Sequence, residues 1–231
     1  MNLSVVIPSK TASNLKTCIS AIRHREPGVR IIVVDDGICA IDRIQLSFVE
    51  NEGIAELDPM HIEWVEGIAP FIFARNCNLG IDAAGDDDVV LLNDDAVLFT
   101  DHGFSEMQRV ADAHPEFGVV GATTNITGQV LQQPSNVGLR VVPHFAFVCV
   151  LIPRLTIKRI GKLDERYCLD YGVEDRDYCE AVNRAGMKCG VFDFCYVDHA
   201  SLRSTYRGDP YASRSYTRNA ELFHQKWGVP A

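Results

Sequence analysis

Acidic residues in this chain gather where apolar runs stop. Val89 to Leu92 is an unbroken apolar run that ends in Asn93, Asp94 and Asp95, and Arg30 to Val34 runs into Asp35, Asp36 and Gly37. Clustered carboxylate oxygens are hard ligands. Beside a ligand crevice they suit Mg²⁺ or Mn²⁺, which bind through few protein carboxylates and leave positions open for substrate phosphates. Each acid can equally cap a turn, since Asp readily bonds the backbone that follows it. For Asp35 and Asp36 both readings stand, whereas acids ending so apolar a run as Val89 to Leu92 point to function. A further pair, Glu174 and Asp175, opens a stretch whose Tyr178, Val182 and Ala185 share one helical face. The helix dipole alone favours acids there, but a rigid helix end can also aim a carboxylate at a crevice. His199 follows a further strand-like stretch, Met187 to Val197, and is either a surface or core histidine or a ligand.

These residues need a frame that carries them to one edge. Leu3 to Ile7, stopped by Pro8, reads as a strand buried on both faces. Leu15, Cys18, Ile19 and Ile22 then fall at helical spacing after the capping candidates Ser13 and Asn14, and Pro27-Gly28 closes that helix. With Arg30 to Val34 this makes one βαβ unit. The pattern continues with a helix within Asp42 to Ala55, a strand near His61 to Val65, a helix from Phe73 to Ala84 and the strand at Val89. Such alternation predicts an α/β fold with an open, mostly parallel sheet, whose ligands bind outside the carboxyl ends of the strands. The second half reads as a helix over Phe104 to His114, a strand over Gly118 to Ala122, an irregular polar segment over Thr123 to Val142 and a strand over Phe145 to Ile152. A helix over Glu174 to Ala185, stopped by Gly186, and a strand over Met187 to Val197 follow, and Ser201 to Arg218 reads as a mobile loop.

The 231 residues suffice for one sizeable domain, and 47% apolar with 23% charged residues is ordinary globular composition. A net charge of -9 without a dense basic stripe gives nucleic-acid binding no electrostatic support. No run is long and apolar enough for a membrane span and no signal-type N-terminus is seen, so the expected location is cytoplasmic. Eight cysteines without a Cys-x-x-Cys pair indicate packed, reduced thiols, with a zinc site as the alternative.

The ordered set SVVIPSK, IIVVDDG, ARNCNLGIDAAGDDDVVLLNDDAVL, IGKLDERYCLDYGVEDRDYCEAVNRAG and VDHAS resembles family-two glycosyltransferases over nearly the whole chain. The tail RNAELFHQKWG is similar to that of rhamnosyltransferase-like bacterial and phage members. The resemblance implies a GT-A fold, a single Rossmann-like domain with residues 1–98 as the nucleotide-sugar half and 99–231 as the acceptor half. It also implies an inverting, metal-dependent enzyme of the hexosyltransferase type, with Mn²⁺ or Mg²⁺ as cofactor and a nucleoside-diphosphate-sugar as donor. By the same resemblance Asp36 accepts a hydrogen bond from the base, with Ser9 in the same pocket and Arg75 positioning the nucleotide. Asp95 holds the metal, His199 reaches the metal or the diphosphate, Asp94 or Asn93 meets the ribose or diphosphate, and Asp175, beside Glu174, is the general base. Asn93 departs from the aspartate that members often carry there. Asp164 and Glu165 would shape the acceptor side, Asp198 would support His199 or form a turn, and Arg203, Arg207 and Arg214 would close over the diphosphate or remain solvated.

Two rival classes are distinguishable. A sugar nucleotidyltransferase would carry a glycine-rich N-terminal loop, and MNLSVVIPSKTASN contains no glycine. A non-catalytic nucleotide- or carbohydrate-binding module could keep Asp36 and Asp95 but has no use for Asp175. No motif identifies the acceptor as saccharide, protein or modified nucleic acid base.

Overall fold

The computed structural model describes residues 2–51, 54–57, 62–125, 130–167, 172–202 and 212–231. Strand β1 (Leu3–Ser9) is buried over six consecutive residues, as a strand covered on both faces must be. Helix α1 (Ala12–Arg25) follows, burying Leu15, Cys18, Ile19 and Ile22; Thr11 precedes it, so Ser13 and Asn14 lie inside its first turn. The chain then forms β2 (Arg30–Asp35) and a short α2 (Ala40–Leu46). The helix expected within Asp42 to Ala55 is this one, beginning two residues earlier and ending at Leu46. Strands β3 (Phe48–Asn51) and β4 (Ile54–Leu57) pair instead as a separate antiparallel ribbon.

Strand β5 (Ile62–Glu66) lies one residue beyond the expected span, and His61 falls outside the described residues. Helix α3 (Phe73–Ala83) leads into β6 (Asp88–Leu92) and the short β7 (Val97–Leu98). The remaining order is α4 (Gly103–Ala113), β8 (Phe117–Thr124), β9 (Leu139–Val142), β10 (Cys149–Ile152), α5 (Arg154–Ile160), α6 (Glu174–Arg184), β11 (Lys188–Asp198) and α7 (Ala212–Trp227). The segment expected to be irregular thus contains the end of β8 and all of β9. The strand expected from Phe145 begins only at Cys149, because a pair of hydrogen bonds to Gln132 holds Ala146 out of the ladder, at 2.9 Å each. The expected mobile loop is helical from Ala212 onward, and 203–211 lie outside the described residues.

The main sheet runs β5-β2-β1-β6-β10-β8-β11-β7, with β9 on β11. Pairing directions make β1, β2, β5, β6, β8 and β11 point one way, with β7, β9 and β10 opposed. Helices α1 and α4 cover one face through Leu15, Ile19, Phe104 and Met107. Helices α3, α5 and α6 cover the other through Cys77, Ile81, Ile157, Tyr178 and Val182. Contact is closest at Gly80, where a Cβ would lie 2.2 Å from Val6 Cγ1, so α3 rests directly on β1.

Candidate active site

Six strands pointing the same way place their carboxyl ends, and the acids that follow them, on one edge. The chain entering β10 arrives at that edge too, since Cys149 pairs with Leu92. Just beyond Leu92 the Asn93 amide donates to Val148 O at 2.9 Å, and the Ala96 amide closes a turn onto Asn93 O at 3.1 Å. Asn93 thus contributes backbone to the turn, which presents Asp94 and Asp95, only 9% and 4% exposed. Ser9 Oγ donates to Asp94 Oδ2 at 2.7 Å, and His199 Nε2 meets Asp95 Oδ1 at 3.0 Å. Burial pushes the Asp94 carboxyl up to about 6, against the Ser9 hydrogen bond and with help from the charge on Asp95.

The donor chemistry of this corner fits a divalent cation. A carboxylate and an imidazole in contact, beside a second carboxylate, offer hard oxygen and borderline nitrogen ligands. Among the described residues no group of three or more His, Cys, Asp and Glu side chains is placed to hold a metal ion by itself, and the described cysteines are free thiols. An open site suits Mg²⁺ or Mn²⁺, which keep water and phosphate ligands, better than structural zinc. Asp95 and His199 are the residues that would hold it. Asp198 does not support the imidazole. Its Oδ1 accepts from the Ala200 amide at 2.7 Å and from Asn125 Nδ2 at 2.9 Å, making it the turn former after β11. Asn125 Oδ1 in turn accepts from the His199 amide at 2.9 Å. Burial opposes ionisation of Asp198, but hydrogen bonds from Ser201, Ala200 and Asn125 hold it at about 2.

The two acids after β2 have opposite fates. Asp35 turns inward, accepting from the Gly37 and Ile38 amides at 2.8 and 2.6 Å and pairing with Arg43, so it is a turn and ion-pair residue. Asp36 stays partly exposed, with its amide bonded to Ser9 O at 2.9 Å. Burial raises its carboxyl, while Lys10 and Arg75 oppose that rise. The segment after β5 docks against this turn: the Gly67 amide donates to Asp35 O at 2.7 Å, and a Cβ on Gly67 would lie 2.7 Å from that same oxygen. Arg75 Nη2 is bonded to Ile68 O and Pro70 O, so its guanidinium holds this segment while its charge acts on Asp36. Lys10 Nζ lies 5.6 Å from the centroid of Phe71, in the same segment.

Glu174 and Asp175 start α6, preceded by Val173 at φ 86°, a backbone that a β-branched residue rarely adopts and that must be held by its surroundings. Val173 packs with Tyr167 and Phe223 of α7. Burial and then the neighbouring Asp175 push Glu174 up to about 8. Burial also raises Asp175, and the amides of Arg176 and Phe147 draw it back. Two residues further on, buried Asp177 accepts from Tyr167 Oη at 2.8 Å, Lys226 Nζ at 2.8 Å and Trp227 Nε1 at 2.6 Å. Asn219 Nδ2 bonds Gly172 O at 3.0 Å and the Arg176 guanidinium lies 5.6 Å from the Phe223 ring, so α7 clamps the whole start of α6.

Ser9, Asp36, Asp94, Asp95 and His199 therefore share one edge with Asn93 in their turn, while Glu174 and Asp175 stand at the start of α6, where the backbone of Phe147 acts on Asp175. Asp164 instead pairs with Arg166 and Lys226, and Glu165 accepts from Asn78 Nδ2 at 2.8 Å. Arg203 and Arg207 lie outside the described residues, as does the side chain of Arg214. Sequence reasoning missed Lys10 and Asp177. Lys10 stands inside SVVIPSK, where its place directly after Ser9 was the available signal, whereas nothing local marks Asp177, whose partners Lys226 and Trp227 come from the far end of the chain.

A model of the family described as glycosyl transferase family 2 matches residues 4–148. No curated protein matches the chain significantly. Among solved structures, GalNAc-T7 with UDP, GalNAc and Mn²⁺ superposes with TM-score 0.71 at 12% identity, over 100% of this chain and 52% of that one. The mannosyltransferase PcManGT from Pyrobaculum calidifontis, in complex with GDP-Man and Mn²⁺, gives 0.67 at 16% identity, over 89% of this chain and 58% of its own. S. aureus TarS 1-349 in complex with UDP-GlcNAc gives 0.71 at 12% identity, over 98% and 66%. This chain spans between about half and two thirds of the length of those three, and at such identities the likeness is one of fold.

Proposed function

Since this chain belongs to glycosyl transferase family 2 and has the GT-A fold, we propose that it transfers a sugar from a nucleoside-diphosphate-sugar to an acceptor hydroxyl, using Mn²⁺ or Mg²⁺. The observation that carries this reading is the contact of Asp95 with His199 on the turn that Ser9 and Asp94 brace, at the edge where Asp36 stays accessible. Asp36 accepts a hydrogen bond from the base, and the diphosphate lies toward Asp95. A divalent cation held there supplies positive charge to the departing diphosphate.

On the acceptor side, Asp175 is the general base. Its carboxylate takes the proton of the acceptor hydroxyl as that oxygen attacks the anomeric carbon, from the face opposite the diphosphate, in a single inverting displacement. Glu174, whose carboxyl holds its proton to higher pH, keeps a second full negative charge out of the corner. Burial of Asp175 raises its basicity toward the working range, which favours proton transfer.

Thermal denaturation with UDP, dTDP and GDP, each with and without Mn²⁺, tests this on wild type and Asp95→Ala. A nucleotide at a hundred times its dissociation constant adds about 2.7 kcal/mol of stability. The expected result is Mn²⁺-dependent stabilisation by one nucleotide that is lost in Asp95→Ala. An unchanged midpoint for wild type with every nucleotide would overturn the reading.

A further inference from the structure

The end of β11 is held from both sides, and this carries His199 to Asp95. On one side lies β7, which begins two residues after Asp95 and pairs Leu98 with Val197 and Val97 with Asp198. On the other lies β8, whose Thr124 pairs with Val197. Among the described residues these ladders stop at Asp198 and Val197, so the sheet itself does not reach His199. The residue after Thr124 does. Asn125 Nδ2 donates to Asp198 Oδ1 at 2.9 Å, and Asn125 Oδ1 accepts from the His199 amide at 2.9 Å. Asp198 Oδ1 also accepts from the Ala200 and Ser201 amides at 2.7 and 3.1 Å, which turns the chain immediately after the imidazole.

One carboxamide thus places its donor and its acceptor on successive residues. An aspartate there would keep the acceptor and lose the donor. Asn125 is exposed, whereas Asp94 and Asp95 are buried, so little of the fold's stability depends on it. We propose that Asn125 is a positioning residue for the metal: it fixes the backbone of His199, and through it the place where Nε2 stands, 3.0 Å from Asp95 Oδ1. The inference rests on the reading above that Asp95 and His199 hold the cation. A partner that orients a metal ligand, without touching the metal, commonly sets its affinity by roughly 10–100-fold. A link through backbone belongs at the lower end of that range, since the imidazole keeps its own contact with Asp95.

Calorimetric titration of Mn²⁺ into the full chain, with UDP, dTDP or GDP present, tests this in a double-mutant cycle of Asn125→Ala and His199→Ala. Asn125→Ala should bind Mn²⁺ about tenfold more weakly than wild type, while the metal-free chain keeps its melting midpoint. Asn125→Leu, which keeps the size and loses both bonds, should match it. In the His199→Ala background, Asn125→Ala should lower Mn²⁺ affinity no further, because a residue that acts through the imidazole has nothing left to place. Wild-type Mn²⁺ affinity in Asn125→Ala, an equal loss in both backgrounds, or a metal-free midpoint that falls along with the affinity would each remove this role from Asn125 and leave the metal site standing. If wild type binds no Mn²⁺ with any of the three nucleotides, the donor-site reading falls and the role of Asn125 falls with it.

Discussion

His199 Nε2 lies 3.0 Å from Asp95 Oδ1 across 104 residues of sequence. The contact is backed by the His199 amide on Asn125 Oδ1 at 2.9 Å, so the imidazole stands on a braced turn. Replacing a group that merely orients a metal ligand commonly lowers affinity by roughly 10–100-fold. His199→Ala is expected to weaken Mn²⁺ binding by at least that much, measured by titration calorimetry with the nucleotide present. Mn²⁺ affinity equal to wild type would remove His199 from the metal site.

Asp175→Asn should keep the fold and the donor site but lose the proton acceptor. General base catalysis contributes about 10²–10⁴-fold, so transfer is expected to fall by that factor in single-turnover assays. Nucleotide affinity should stay within twofold, on the order of 0.4 kcal/mol. Wild-type turnover would assign the base elsewhere.

The raised carboxyl of Glu174 has a defined signature in stability. Its ordinary value is 4.5 and its folded value about 8, so the folded state binds the extra proton between those limits. The stability this group contributes is fully present below pH 4.5 and is lost as pH rises through about 8. Glu174→Gln cannot ionise. It should therefore be more stable than wild type at pH 8 to 9, with the gap shrinking as pH falls toward 4.5, as read by urea unfolding across that range. A gap that widens on acidification would contradict the burial that sets this value.

Asp177 receives Tyr167, Lys226 and Trp227 in one buried corner. Removing one partner of such a buried pair costs about 3–5 kcal/mol, and Lys226 keeps Asp164 at 2.8 Å as a second partner. Asp177→Ala is thus expected at the lower end, about 3 kcal/mol by urea unfolding, with Asp177→Asn milder. Transfer should fall more than Mn²⁺-dependent nucleotide affinity, because the corner holds the start of α6 and not the turn at Asp94.

What could be read in advance follows the range of each interaction. Runs such as Leu3 to Ile7 and Val89 to Leu92 declare strands buried on both faces, and acids at their ends declare a shared edge once the strands are parallel. The spacing of Leu15, Cys18, Ile19 and Ile22 likewise fixes α1. Asp35 and Asp36 could not be told apart, since their difference is made by Arg43, eight residues on, and by the docking of Gly67. Asp177 was equally opaque, with partners 10, 49 and 50 residues away. Phe145 to Val148 read as strand because Phe145, Phe147 and Val148 are buried, yet Gln132 takes the hydrogen bonds of Ala146. In each case contacts from outside the local sequence window overrode a local preference.

The loop before β10 has a geometric implication for the chemistry. Val148 accepts from the Asn93 amide at 2.9 Å, and the backbone of the neighbouring Phe147 acts on the Asp175 carboxyl, so the turn at Asp94 and the proposed base adjoin successive residues. On the proposed roles, the reach between donor phosphate and acceptor oxygen would follow this short stretch of backbone, which side-chain substitution barely alters. Changing which acceptor is accommodated should come from reshaping the surroundings of α6 and α7. Inserting a residue between Phe147 and Val148 should uncouple the two half-sites while leaving each one assembled.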